Sequence, residues 1–288
     1  MPAQAVNPIP SPDPHKLLGR VGELPALPEV VNELMRCLDD AGTAQDQLAE
    51  KLSRDPALSM KALRLANSSF YGLSREILSI PEALKVLGRR TVSLLVLAAA
   101  ASDALQVPPH SGLDFRAFWR HALGTALCGQ ALARCLQLPS DAGFTVGLLH
   151  DVGQLALACL VPDDYARVRA HQQSEDIPIL QAERHLLGTD HAEIGALLAE
   201  RWNLAPHIID AIASHHQPTL QHSRGLVGLT HMSDAISHAL GLSGADGEAV
   251  PLTPPDLWQA MFPEQETCMA LFSEVESQFK SVCSALHV

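Results

Sequence analysis

Residues 144–160 read FTVGLLHDVGQLALACL, a histidine and an aspartate side by side in a stretch that is otherwise almost wholly apolar. Leu148, Leu149, Val152 and Leu155 flank the pair, so the segment has to be buried. A buried, unpaired carboxylate is costly and tends to take up a proton, so Asp151 requires a cation, strong donors or a metal beside it. Nothing nearby in the sequence supplies one. Whatever fold the chain adopts must therefore bring distant residues to position 151.

The surrounding pattern predicts an all-α fold. Apolar residues recur at spacings of three and four rather than two, and aromatic residues make up only 4% of the chain. Helix punctuation is frequent: Pro28 opens PEVVNELMRCLDD, Thr43 precedes AQDQLAEKLSR, Asp55-Pro56 caps PALSMKALRLANS, and Pro81 opens PEALKVLG. Residues 16–105 read as a bundle of five or six short helices, with a helix end at LANSSFYG. The loop QVPPHSGLD is the expected joint to a second half that begins with the long helix FRAFWRHALGTALCGQALARCLQL. In that half, His150-Asp151 is placed in mid-helix. Asp190 and Glu193 form a capping-box pattern for HAEIGALLAERWN, and Pro206 opens PHIIDAIASHHQ. GLVGLTHMSDAISHAL, PPDLWQAMF and QETCMALFSEVESQFKSVCSAL complete the helical segments. The expected organisation is a proline-rich leader (1–15), an N-terminal helical part (16–107), a second helical part (108–242) and C-terminal helices packed on the bundle (243–288).

Composition narrows the classes of function. At 288 residues with 47% hydrophobic content the chain can bury a substantial core. The apolar run TVSLLVLAAAAS falls short of the ~20 residues a membrane span needs, and the leader lacks the basic start and long apolar segment of a secretion signal. A cytoplasmic location without membrane contact is expected. The six cysteines are scattered with no CxxC pair, so they read as small core hydrophobes. A net charge of -12 repels nucleic-acid phosphates. TAQDQLAEKLSRDPALSMKALRLAN scans like a helix-turn-helix with Lys51, Arg54, Lys61 and Arg64 as phosphate contacts. Asp55-Pro56 in the turn and the Leu, Ala and Met content of the second helix argue against it.

The groups able to satisfy Asp151 recur along the second half: His121 in the long helix, His150 in the doublet, His191 at a helix start, His215 and His216 at a helix end, and Asp234 inside the next helix. Imidazoles and carboxylates without thiolates suit iron, manganese, nickel or zinc, and bundles build such centres from one or two inward side chains per helix. Taken singly, most have a plainer account. His121 or His191 reads as a core or rim residue, His215-His216 as a solvated helix end favoured by the helix dipole, and Asp234 as a surface partner of His231 or His238. The doublet resists such an account because of its apolar flanks.

The order of an early histidine, a His-Asp doublet in GLLHDVG, later histidines and a closing aspartate resembles the HD superfamily of metal-dependent phosphohydrolases. LPALPEVVNELMRCLDD, LAEKLSRDPALSMKALRLANSSFYG and IPEALKVLGRRTVSLLV are similar to the HDOD family, a bacterial signalling branch of that superfamily. The resemblance implies an N-terminal bundle packed on an HD-like bundle. It also implies one or two divalent ions (Fe, Mn, Ni or Zn) with His121, His150, Asp151 and Asp234 as ligands. His191, His215 and His216 match the extra histidines of binuclear members, including the HD-GYP cyclic-di-GMP phosphodiesterases.

Where active members carry HDxGK this chain reads HDVGQ, with Gln154 in place of the lysine; no GYP loop follows the double histidine, and Ala117 stands where some trinuclear members carry a glutamate. The expected function is a regulatory module acting on signalling proteins, including cyclic-dinucleotide pathway components, with a metal site and little or no catalysis. The alternative is a metal-dependent phosphodiesterase acting on a cyclic dinucleotide, with Asp151 and His150 as catalytic residues.

Overall fold

The computed structural model describes residues 13–26, 45–53, 59–60, 62–63, 66–67, 75–88, 105–245, 249–262 and 265–286. Among these residues every regular element is a helix, as the periodicity predicts. Of the N-terminal part the structure shows α1 (Pro14–Arg20), α2 (Gln45–Ser53) and α3 (Ile80–Leu87). The PEVVNELMRCLDD and TVSLLVLAAAAS segments, Cys37, and Arg54, Lys61 and Arg64 of the helix-turn-helix reading lie outside the described residues. The helix end expected near Asn67 is a turn, and the Asn67 side chain clamps the Ile77 backbone, donating to its carbonyl at 2.8 Å and accepting from its N–H at 2.6 Å.

From residue 115 onward the chain runs through α4 (Phe115–Cys135), α5 (Ser140–Leu149), α6 (Val152–Leu160), α7 (Pro162–Glu175), α8 (Ile179–Leu187), α9 (His191–Arg201), α10 (Pro206–Ser214), α11 (Leu226–Ala239), α12 (Pro255–Met261) and α13 (Gln265–Leu286). Local chemistry fixes most boundaries. Asp114 caps α4 by accepting from the Ala117 N–H at 2.9 Å, Gly188 in the left-handed region (φ +71°) ends α8, and proline occupies the first turn of α10 and α12. At α9 the Asp190 carboxylate accepts from the Glu193 N–H as predicted. The Glu193 carboxylate, however, takes the Thr189 hydroxyl at 2.6 Å, and Arg184 holds Asp190 at 2.7 Å.

One expectation changes. The doublet is not in mid-helix: α5 ends at Leu149, Asp151 leaves helical geometry (φ -100°, ψ 9°), and α6 starts at Val152. The apolar run is thus a helix–turn–helix corner that aims both polar side chains to one side. By length and composition Ser140–Leu160 is apolar enough to cross a membrane, yet 94% of its apolar 18-residue window is buried inside the fold. Its apolarity is spent on the core.

α4 is the backbone of the bundle, packed by α5, α11 and α13, while α6 packs on α9 and α9 on α10. Arg134 pairs with Glu274 across α4 and α13, and Arg120 donates to the Ser243 carbonyl while lying 5.0 Å over the Phe279 ring. The α1 end of the chain is tied to this bundle by Arg201, which donates to the Leu24 carbonyl at 3.0 Å.

Glycine permits the closest crossings. A Cβ on Gly129 of α4 would sit 2.4 Å from the Gly143 carbonyl of α5, and one on Gly153 of α6 would sit 1.9 Å from the His191 carbonyl of α9. Gly129→Ala is therefore expected to destabilise the protein by about 1–3 kcal/mol through forced separation of α4 and α5. Gly19→Ala, exposed on α1 with open space around it, should be neutral or stabilising by up to about 1 kcal/mol. Urea-unfolding midpoints of the two variants measure the contrast.

Candidate metal centre

The crossings bring five helix segments to one interior point. α4 supplies His121; the α5–α6 corner supplies His150 and Asp151; the start of α9 supplies His191; the end of α10 supplies His215 and His216; α11 supplies Asp234. All seven residues chosen from the sequence converge there, and all but His216 are buried. Among the described residues no lysine or arginine pairs with Asp151 or Asp234; their charged neighbours are histidines.

Helix ends set the pose of two imidazoles. His150 and His215 each follow the last residue of a helix and turn Nδ1 back to the carbonyl three residues earlier, Gly147 at 2.8 Å and Ile212 at 2.7 Å. Carbonyls in a last helical turn lack an intrahelical partner, so this bond satisfies the backbone and fixes the ring. A carbonyl only accepts, so Nδ1 carries the proton and Nε2 faces the centre. His191 is fixed by a different device. Its Nδ1 lies 2.6 Å from Glu183 Oε2, and its backbone N–H donates to the same oxygen at 2.9 Å.

The Nε2 atoms of His191, His150 and His215 stand 3.1, 3.5 and 3.6 Å from Asp151 Oδ1. Those of His121 and His150 stand 3.1 and 3.7 Å from Asp234 Oδ1. Both oxygens are buried, yet neither has an aligned hydrogen bond, and the same holds for His215 Nε2. Donor atoms bound about 2.0–2.2 Å from one ion stand about 3.0–3.5 Å apart, so the spacing and the unsatisfied atoms fit a shared cation better than a hydrogen-bond network. Two of the sets able to hold an ion are built on Asp151: Asp151, His191, His215 and His216, and His121, His150 and Asp151. Asp151 belongs to both.

The titration of the centre reflects the same demand. For Asp151 burial pushes the carboxyl up, but His150 and His191 outweigh it and hold it well below the usual carboxylate range. Burial likewise opposes charge on His191, yet Glu183 and Asp151 keep it protonated well above the usual imidazole range. His150 is raised against its burial by Asp151 and Asp234. His215, dominated by burial, is pushed down.

Two participants escape a reading of the sequence. Glu183 is fully buried on α8 and holds His191. Tyr165 is fully buried on α7, its hydroxyl 3.2 Å from Gln154 Oε1 and 3.4 Å from Glu183 Oε1. Of the two histidines the sequence offers Asp234, His238 does reach its Oδ1, at 3.2 Å. Both α7 and α8 are missing from the sequence reading, although Pro162, Pro178 and Gly188 mark their ends. Gln154, in place of the family's lysine, donates to Asp151 Oδ2 at 2.7 Å. A polar circuit results: hydrogen bonds link Asp151, Gln154, Tyr165, Glu183 and His191 in turn, and the 3.1 Å contact of His191 Nε2 with Asp151 Oδ1 closes it. Asp234 is no surface residue, and His231 turns away from it, placing Nδ1 3.0 Å from the His215 carbonyl and Nε2 3.1 Å from the Thr253 hydroxyl.

A helical bundle around a buried histidine–aspartate centre defines an HD-type protein. Comparison places it more closely: the HDOD domain family model matches residues 24–218, and the chain belongs to that family. A provisionally named phosphohydrolase of Shewanella amazonensis SB2B is 29% identical with a TM-score of 0.72, the alignment covering 94% of this chain and 97% of that one. An HDOD domain protein of unknown function from Geobacter sulfurreducens is 25% identical with a TM-score of 0.77, covering 96% and 100%. An uncharacterized protein of Treponema pallidum (strain Nichols) is 29% identical over 200 residues, 68% of this chain but only 38% of that protein's length.

The Glu183–His191 pair gives a signed test. Because His191 has a raised pKa in the folded chain, its contribution to stability is fully present below the unfolded value of 6.5 and is lost as pH rises through the raised value. The destabilisation caused by Glu183→Gln in metal-free protein is expected to be largest below pH 6.5 and to shrink in alkaline solution. Urea unfolding across that range checks it, and a penalty independent of pH would assign Glu183 a packing role instead.

Proposed function

We propose that this chain is a regulatory HDOD module that binds a divalent transition metal at the Asp151 centre and acts through contact with signalling proteins, without efficient turnover. A divalent ion held there would supply Lewis acidity. The chain's own contribution is to point Nε2 lone pairs and two carboxylates inward and to keep the site deep in apolar packing. The observation that carries the reading is Gln154. Its amide is tied on one side to Asp151 and on the other to Tyr165, so the position used by a lysine in active relatives offers no free cation to a substrate phosphate. The overall charge of -12 adds no field attracting an anionic substrate. In this reading the helices of residues 16–107 are the docking part, and the metal centre is structural or sensory.

The completeness of the ligand set favours a second reading, a phosphodiesterase acting on a cyclic dinucleotide, with His150 and Asp151 as catalytic residues. The resemblance to a phosphohydrolase-named structure supports it. The two readings separate in one experiment. Protein purified without a metal-binding tag and loaded with Mn(II) or Fe(II) should contain bound metal by elemental analysis and leave cyclic dinucleotides intact. Turnover that disappears in Asp151→Ala would establish the second reading, and absence of bound metal would remove the metal centre from both.

A further inference from the structure

The family likeness leaves out one histidine at the centre. His238 lies one turn after Asp234 on α11, its Nε2 3.2 Å from Asp234 Oδ1, and its ring is tilted 34° against that of His121 with centroids 4.3 Å apart. His121 Nε2 reaches the same oxygen at 3.1 Å. The ligand atoms of His121, Asp234 and His238 lie close enough together to hold one ion. Asp234 Oδ1 is buried and has no aligned hydrogen bond despite these neighbours.

His121 belongs to two groupings, this one and the inner one with His150 and Asp151. One imidazole nitrogen binds one ion at a time, so the two positions compete for it. His121 is also the ring best able to change sides. His150, His191 and His215 each have Nδ1 fixed by a carbonyl or carboxylate, whereas His121 Nδ1 is buried without a partner. The outer position is the more accessible: the His238 side chain is 19% exposed, against 7% for His121 and 1% for His150.

Resting on the metal reading above, we propose that His121, Asp234 and His238 form a separate outer position for a divalent first-row transition ion, from which the ion reaches the inner His150–Asp151 position as His121 changes partners. Three donors of imidazole and carboxylate type leave coordination places for water and favour ions such as Mn, Fe, Co, Ni or Zn over calcium or magnesium.

The test uses the full chain, stripped of metal and titrated with Co(II), followed by visible absorption and equilibrium dialysis. Two classes of bound ion are expected. In His238→Ala the weaker class should lose affinity by about tenfold or more, the loss that removal of even an outer partner produces, while the spectrum of the tighter class is retained. His238→Gln, which keeps a polar side chain beside Asp234, should show the same loss with an unchanged unfolding midpoint in metal-free protein. Anomalous scattering from Co(II)-soaked wild-type crystals should give a peak bounded by His121, Asp234 and His238. An unchanged titration in both variants, or anomalous peaks confined to the neighbourhood of Asp151, overturns the outer position while leaving the Asp151 centre standing. A wild-type chain that takes up no Co(II) overturns both.

Discussion

Two carboxylates in an apolar interior, with no lysine or arginine paired to them among the described residues, govern the architecture from residue 115 onward. Asp151 and Asp234 are each ringed by imidazoles rather than by permanent cations. Burying such a charge is tolerable only when opposite charge and donors are arranged around it, so helices distant in sequence have to meet there. The core and the centre are consequently one structure. The same helices α4, α5, α6, α9, α10 and α11 that bury leucine and valine also carry the polar groups inward.

Convergence on that scale needs close approach, and glycine and helix ends provide it. Gly129 against Gly143 and Gly153 against the His191 carbonyl remove side chains where backbones touch. Breaking the apolar run at residues 150–151 lets one short segment present two ligand-type side chains, which an unbroken helix would point about 100° apart. Behind the inner shell, the Gln154–Tyr165–Glu183 circuit holds Asp151 and His191 in register with one another.

Much of this was legible in the sequence. All-helical architecture follows from the three-and-four periodicity, and the proline and aspartate start signals located α3, α9 and α10. The seven residues picked for their chemistry do meet, because an isolated His-Asp pair among leucines demands partners. The supporting residues were not legible. α7 buries only Tyr165 and Val168, so its pattern is polar nearly all round and resembles a loop. Glu183 sits in a short helix whose charged residues look like an ordinary solvated face, and only the fold turns it inward. Gln154 illustrates a further limit: the sequence shows that a lysine is replaced, but the amide's two partners come from positions 151 and 165, and the second is a tertiary contact.

The backbone anchoring of His150 and His215 ties ligand geometry to helix termini. Each ring is steered by a carbonyl of its own last turn, so fraying of α5 or α10 by a single turn would release an imidazole without touching any side chain in the interior. By thermodynamic reciprocity, an ion that requires both rings would in turn hold those termini wound. A partner pressing on the outer surface of either helix end could thereby alter ion occupancy from a distance, with the carbonyls of residues 147 and 212 as the mechanical link.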